Sequence, residues 1–482
     1  MTRITLVALS ILLSACAVGA CSRSNDGQEA RREVPPRAPK SIPARSGGAS
    51  GPEHAGTSVA PAAKDDAGSA ASPTTSRASC SSDASDASRL LESTVARATA
   101  AQDVERRAVS DLASFAWSFY AQVRGSETNF VYSPYSIVAA SAMLSAGAAG
   151  RTLTQMQAAL RFSGVGAPLH GAQSALALLL HSRNRNHAGD PERKTQVLRI
   201  SNDLWMATES PPKPAFLDTL ERHYGSGVHL VSFHEDPERS RGAINQKVCR
   251  DTEGLIPELL PRGSIKPDNK LVLTNALYFK AGWESPFPKR LTEPRPFVKL
   301  SGETTQVATM SRVLQGHYAD GHGYLAVALP YRGHELELVL LVPDAGSFAR
   351  FVASLRVAQI GAITSKLRPE RLALAMPKFQ LQTTLPLKAE LMRAGMVDAF
   401  TRAALFPLLG DGVYVSEAHH QARLILDEEG TEAAAATAFG ARTLSGRREP
   451  TPIEVKIDRP FVFFIRDTSG AVLFVGHIGD PR

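Results

Sequence analysis

Apolar residues recur along this chain with two periods, and the period assigns most of the elements. Val104, Ala108, Leu112, Phe115, Ala116 and Phe119 fall at the spacing of one helix face, so a helix is predicted over Val104–Val123. Asn129–Tyr132 reads as a short strand. The Ser133-Pro134 break then precedes a helix whose body runs Ile137–Ala146, with Ser136 or a neighbour as its cap. Gly147–Thr152 ends that helix, and Thr152 is placed to cap the next, which runs to Leu160. Leu169–Leu180, Ala215–Tyr224 and Ala243–Gly254 read as further helices. Val197–Met206 alternates as a strand, and Val228–Phe233 is a shorter one. Leu271–Lys280 is apolar on both faces, the pattern of a strand covered on both sides. Leu336–Pro343, Leu372–Leu381 and Ala422–Leu426 are strand-like, and Leu385–Phe400 lies between the last two. Ile453–Ile465 and Ala471–Ile478 make two strands around a turn at Thr468-Ser469-Gly470. No internal repeat is evident.

The first hundred residues follow neither period. Ile4–Leu13 is an apolar run of about ten residues, too short to span a bilayer and of the length of an export signal. It ends in Leu13-Ser14-Ala15-Cys16, which looks like a bacterial lipobox, with Cys16 as the lipid-attachment residue. Val18-Gly19-Ala20-Cys21 is a poorer second copy. Residues 22–100 hold no Phe, Trp or Tyr; the first aromatic of the chain is Phe115. Ala, Ser, Pro, Gly and mixed charges dominate, a composition that buries too little apolar surface to offset its ordering entropy. The expected organisation is residues 1–16 as signal and lipobox, 17–100 as a disordered tether, and 101–482 as the folded domain.

Charge and cysteine narrow the chemistry. The formal charge is +7 over 482 residues, spread out and without a basic stripe interleaved with aromatics, so nucleic acid is not an expected partner. The polar stretch 181–196, with Arg183, Arg185, Arg193 and Lys194, reads as a solvated loop. The four cysteines are Cys16, Cys21, Cys80 and Cys249. Only Cys249 falls in the folded domain, so no disulfide is expected within it. No metal-ligand spacing appears, and no metal or cofactor is expected. His419 and His420 could serve a nucleophile such as Ser133, Ser136 or Ser416. No Gly-x-Ser-x-Gly elbow surrounds any of these serines, and no enzyme activity is expected.

The least ordinary stretch is Asp427–Phe439. Three acids and Gly430 come first. The eight residues that follow contain, Glu432 apart, nothing larger than threonine. In a strand, Thr431, Ala433, Ala435 and Thr437 would share one face and Glu432, Ala434, Ala436 and Ala438 the other. Small residues on the first face suit a segment that must enter a packed sheet without overfilling it. This stretch resembles the proximal hinge of the reactive-centre loop of serpins, the suicide serine-protease inhibitors. The resemblance recurs in Asn129–Leu160, in Asn275 followed by Trp283-x-x-Pro286-Phe287, in Met376-Pro377-Lys378-Phe379 and in the closing hairpin, and it extends from about residue 104 to the end.

The resemblance implies an α+β fold with a large mixed central sheet, smaller sheets, about nine helices and an exposed reactive-centre loop. It assigns Glu428, Gly430, Thr431, Ala433, Ala435 and Thr437 to the hinge and Trp283 to the breach where insertion starts. It assigns Ser133, Ser136, Asn275 and His420 to the shutter under the sheet. The family's cut falls at the seventeenth residue counting Glu428 as the first, which gives Leu444-Ser445 as the reactive bond. Arg442, Arg447 and Arg448 offer alternative bonds. The implied partner is a serine protease, chymotrypsin-like for Leu444 or trypsin-like for the arginines, and the implied inhibitor is monomeric. A non-inhibitory serpin-fold surface or binding lipoprotein is the alternative. The lipobox adds a lipid-anchored location at the cell envelope, on the outer membrane or the cell surface. Mass spectrometry of the mature N-terminus is expected to find acylated Cys16; a free terminus elsewhere with unmodified Cys16 rejects the anchor.

Overall fold

This computed structural model describes Cys80 and residues 87–97, 102–125, 127–184, 196–431 and 451–482. The first elements are β1 (Ser88–Leu91), α1 (Gln102–Val123), β2 (Asn129–Tyr132), α2 (Pro134–Ser145), α3 (Gly150–Ala159) and α4 (Ala167–His181). Next come β3 (Val197–Ala207), α5 (Pro214–Tyr224), β4 (Val228–Val231), α6 (Pro237–Asp251) and β5 (Leu271–Gly282). The middle holds β6 (Glu293–Val298), β7 (Thr304–Gly321), β8 (Tyr324–Pro330), β9 (Leu336–Pro343), α7 (Phe348–Ser354), α8 (Val357–Thr364), β10 (Arg368–Pro377) and β11 (Phe379–Leu385). The last are α9 (Leu387–Arg393), β12 (Val415–Leu426), β13 (Gly430–Thr431), β14 (Ile453–Lys456), β15 (Phe461–Asp467) and β16 (Val472–Ile478). Nine α-helices are thus present among the described residues, in a mixed α+β fold.

Seven strands form the central sheet in the order β1-β4-β3-β5-β13-β12-β11. Two of its pairings, β3 with β4 and β5 with β12, are parallel, so the sheet is mixed. Nine strands form the second sheet, with β14-β10-β7-β8-β9-β15-β16-β2 as its path and β6 on the edge of β7. β5 shows why its sequence is apolar on both faces, since every residue in it but Lys280 is buried. On one side lies the main core, including Leu112, Phe115 and Phe119 of α1 and an α2 that is buried almost all round. On the other side Ile244 and Val248 of α6, with Ile256, Leu259, Leu260 and Ile265 of the segment after it, cover Trp205 of β3 and Val272 and Ala276 of β5. Asn245 fixes that segment to the helix. Its amide donates to the Leu260 carbonyl at 2.9 Å, and its carbonyl accepts from the Leu259 and Leu260 amides at 3.1 and 2.8 Å.

The N-terminal limit of the folded domain lies earlier in the chain than the sequence predicts. β1 falls inside the span expected as tether, yet it pairs antiparallel with β4, Leu91 opposite Val228. A strand can be added to an edge through backbone bonds alone, so its polar composition did not announce it. Gly227 makes room for it, because a Cβ there would sit 2.0 Å from the Leu91 carbonyl oxygen. The expectation of no disulfide in the domain is also corrected: Cys80 is bonded to Cys249 in the last turn of α6. The pairing was illegible because the two cysteines are 169 residues apart and one lies in the presumed tether.

Three further readings change. Arg183 is not a solvated loop residue. It donates to the fully buried Asp467 at 2.8 Å and pairs with Glu335 at 3.5 Å, tying the end of α4 to the β15–β16 turn. Ser133, not Ser136, caps α2, its hydroxyl accepting from the Ser136 amide at 3.2 Å. Thr152 lies inside α3, buried, and its hydroxyl accepts from the Leu405 amide at 2.9 Å.

Candidate functional site

The central sheet contains one seam built unlike the rest. β5 and β12 pair in parallel from Leu271 opposite Val415 up to Leu277 opposite Ala422. Beyond that level they part, and β13 occupies the gap, with Gly430 opposite Gly282 and Thr431 opposite Ala281 on one side and Leu426 opposite Thr431 on the other. The chain thus leaves the end of β12, turns tightly, and starts down between its own strand and β5. Asp427 makes the turn. Its amide donates to the Gly430 carbonyl at 2.9 Å, and its carboxylate accepts from the Glu429 amide at 2.9 Å and the Gly430 amide at 3.3 Å. Only glycine fits at 430, where φ is +152° and a Cβ would lie 2.1 Å from the Ala281 carbonyl oxygen.

Trp283 props this entrance open. It is buried, stacked on Tyr331 at 4.7 Å, and its indole N–H donates to the Asp427 carbonyl at 3.0 Å. Its backbone amide donates to the Glu429 carbonyl at 2.9 Å, and the Phe287 amide to the Glu428 carbonyl at 2.7 Å. Thr431 is fully buried, its hydroxyl 2.7 Å from that of Tyr331. Glu428 accepts from the Thr292 hydroxyl at 2.8 Å and from Lys378 at 3.2 Å. Burial pushes its carboxyl up, but its own backbone amide, Thr292 and Lys378 outweigh burial and hold it below the usual carboxylate range. Glu429 sits 3.7 Å from Lys289.

Beneath the paired part of the seam lies a closed polar circuit. Asn202 of β3, Asn275 of β5 and His420 of β12 sit at one level across three adjacent strands. The Asn275 amide donates to the Asn202 carbonyl at 2.7 Å, and the same oxygen accepts from the Ser136 hydroxyl at 2.9 Å. His420 Nδ1 bonds Asn275 Oδ1, and the Ser133 amide donates to His420 Nε2 at 3.1 Å. A backbone N–H can only donate, so Nε2 carries the lone pair and Nδ1 the proton. Burial drives the imidazole down to about 3, against a smaller pull from Asn275, so His420 is neutral at ordinary pH.

Both ring nitrogens of His420 are therefore taken, neither by a hydroxyl nor by a carboxylate, and the ring is not set to activate a nucleophile. Ser416 accepts from the Lys270 amide at 2.8 Å, and His419 faces Glu417 at 3.5 Å. Among the described residues no group of three metal-binding side chains gathers.

Ser133, Ser136, Asn275, His420, Trp283, Glu428, Gly430 and Thr431 thus all lie on one seam. Ala433, Ala435, Thr437, Arg442, Leu444, Ser445, Arg447, Arg448 and Cys16 lie outside the described residues. Sequence reasoning missed Asn202, Tyr331 and Thr292, and it included Asp427 in the hinge stretch without giving it a role. Only Asn202 carried a signal, as a polar residue inside a strand that becomes apolar at Leu204.

A model of the serpin family, described as serine protease inhibitor, matches residues 110–481. The chain belongs to the serpin family. It is 30% identical over 377 residues to an uncharacterized serpin-like protein of Methanosarcina mazei, covering 77% of this chain and 86% of that one. It is 31% identical over 369 residues to the human leukocyte elastase inhibitor, with 73% and 93% covered. The structure of human thyroxine-binding globulin complexed with thyroxine superposes with a TM-score of 0.68 at 27% identity, covering 78% of this chain and 99% of that one.

The depressed His420 makes the serpin's stability depend on pH. In the unfolded chain a histidine takes up a proton near pH 6.5, while in the folded circuit it does not until about pH 3. This contribution is complete above pH 6.5 and is lost as pH falls towards 3, by at most about 1.4 kcal/mol per unit. His420→Gln removes the titration while Gln can still accept from Ser133 and donate to Asn275. Thermal midpoints measured from pH 7 to 4.5 are expected to fall more steeply for the unchanged protein than for H420Q; parallel slopes reject the assignment.

Proposed function

We propose that this serpin is a suicide-substrate inhibitor of serine endopeptidases, cut at Leu444-Ser445. The observation that carries the reading is β13, which is seated at the top of the seam as the first two residues of an inserting strand. In the sequence after it come Ala433, Ala435 and Thr437, which in a continuing strand would share the face of Thr431, and none is too large to follow it into the sheet. The protease serine attacks the Leu444 carbonyl, the amine of Ser445 leaves, and an ester joins Leu444 to the enzyme. The freed segment then descends between β5 and β12, drawing the acylated protease with it. About 15 residues at about 3.3 Å each reach roughly 50 Å, enough to cross a domain of this size.

Leu444 favours a chymotrypsin-like target with an apolar primary pocket. Arg442, Arg447 and Arg448 keep a trypsin-like target as the second choice. Export with lipid attachment at Cys16, to the outer membrane or the cell surface, completes the proposal. The Cys80–Cys249 bond is in keeping with an oxidising compartment. The second reading, a non-inhibitory binding protein, has in its favour the likeness to thyroxine-binding globulin in complex with thyroxine. That reading does not require small residues at every inward hinge position.

Thr431→Arg separates the steps. Its side chain would enter a fully buried site beside Tyr331, where an unpaired charge costs several kcal/mol. Incubated with chymotrypsin, the variant is expected to give cleaved serpin, active enzyme and little SDS-stable complex. Undiminished complex rejects the inward face.

Cleavage by a non-target protease between Phe439 and Glu449 tests the trap itself. An ordinary nicked loop loosens the fold. An inserted strand adds about a dozen backbone bonds at about 1 kcal/mol each. Since 1 kcal/mol shifts a large domain by about 2 °C, the midpoint is expected to rise by roughly 10 °C or more. An unchanged or lower midpoint after a confirmed cut moves the protein to the non-inhibitory reading.

A further inference from the structure

Insertion requires β5 and β12 to separate by one strand spacing, about 4.8 Å. The covering segment after α6 is bonded to both sides of that seam. On one side the Leu255 carbonyl accepts from Arg423 of β12 at 2.9 Å. On the other Glu253 pairs with Arg199 of β3 at 3.0 Å and accepts from the Tyr278 hydroxyl of β5 at 3.4 Å. A new strand cannot pass while this segment and α6 stay fixed, so β3, β4, β5 and α6 must shift as a leaflet away from β12 and β11.

Cys80 and residues 87–97 join that leaflet to the rest of the body. Cys80 is bonded to the end of α6 through Cys249, which is buried. β1 is laddered to β4 at the leaflet's outer edge. Beyond it the Ser93 hydroxyl donates to Asp218 of α5 at 2.6 Å, and Arg97 lies against Gly225. Only residues 92–101 separate β1 from α1. α1 packs on α2 and β16, and β16 pairs with β2, which packs against β11 and β12. Cys80 and β1 are thus held on one side of the seam, and the chain continues from β1 into α1, whose packing leads to the other side. Among the described residues, without the disulfide, this strap meets the strands of the leaflet through the four-residue ladder of β1 on β4. With it, peeling β1 still leaves α6 attached.

We propose that the Cys80–Cys249 disulfide is a redox-sensitive brace on the seam: oxidised, it slows strand insertion, and reduced, it lets the leaflet shift. The inference rests on insertion as read above and adds a control to it. The reductant is a dithiol. Its thiolate attacks the Cys80 sulfur, the more exposed of the pair, and Cys249 leaves as a thiolate that takes up a proton. The second dithiol sulfur then displaces Cys80 in the same way. The dithiol ends as a disulfide, having supplied two electrons and two protons.

The test uses the full chain and a labelled synthetic peptide of residues 431–442, whose entry into the seam is followed by co-migration on a native gel. No protease is involved, so the result is independent of whether inhibition occurs. Cys80→Ser is chosen because Cys249 is buried in the cover over the sheet. Peptide entry is expected to be about tenfold faster in C80S and in dithiothreitol-reduced protein than in oxidised protein, the change that about 1.4 kcal/mol off the barrier gives. C80S itself should not respond to dithiothreitol. Thiol labelling with mass spectrometry confirms the reduction, and the reduced unchanged protein carries the test if C80S folds poorly. Equal rates in all forms, or slower entry on reduction, overturn the brace. No entry into any form overturns the brace together with insertion. A redox-dependent rate with no protease complex leaves the brace standing and removes only the inhibitor reading.

Discussion

The parallel contact between β5 and β12 is the constraint on which the rest depends. It is a complete piece of sheet, with paired backbone and a buried face, yet its top is already parted by Gly430 and Thr431. The two strands pair directly up to Leu277 and Ala422, and above that level β13 stands between them. Extending β13 would exchange the β5–β12 bonds for two new ladders, so the structure holds fewer backbone pairs at this level than its topology permits. On the proposed reading, the loop would enter a contact already made and able to be remade, rather than a cavity.

Polar groups decide how that contact is held. A purely apolar seam would resist parting through area alone. This one is crossed by directional bonds at a single level, Asn202 to Asn275 to His420, closed through α2 by Ser136 and Ser133. Each of these side chains is buried or nearly so, and an unpaired buried polar group is costly, so the circuit favours the closed register over partial opening. A neutral imidazole suits this place because it donates from one nitrogen and accepts at the other. A charged one would leave the Ser133 amide facing a second donor.

At the entrance the same logic works by anchoring. Glu428 is held by Thr292 and Lys378, Asp427 closes the turn with its own backbone, and Trp283 bonds two carbonyls of the turning chain. These contacts fix the chain as far as Thr431. They also explain why three acids come first in this stretch: each has a partner that helps to hold the turn into β13.

The sequence by itself determined the elements whose cause is local. The two-sided apolar run of β5 and the β15–β16 hairpin are legible because period and turn chemistry act over neighbouring residues, and the Ser133-Pro134 break announced a helix without placing its cap. The family pattern added Asn275, His420 and Trp283. What only the tertiary structure decided depends on partners far apart in the chain. Asn202 joins the circuit because β3 lies beside β5 in a register no local signal sets. Tyr331 meets Thr431 across a hundred residues, and Arg183 meets Asp467 across nearly three times that distance. β1 and Cys80 sit in a stretch whose composition predicts disorder, and they are held by an edge of β4 and by Cys249, neither visible from that stretch. Composition measures what a segment can bury by itself; it carries no information about an open strand edge or a thiol that the rest of the fold presents to it.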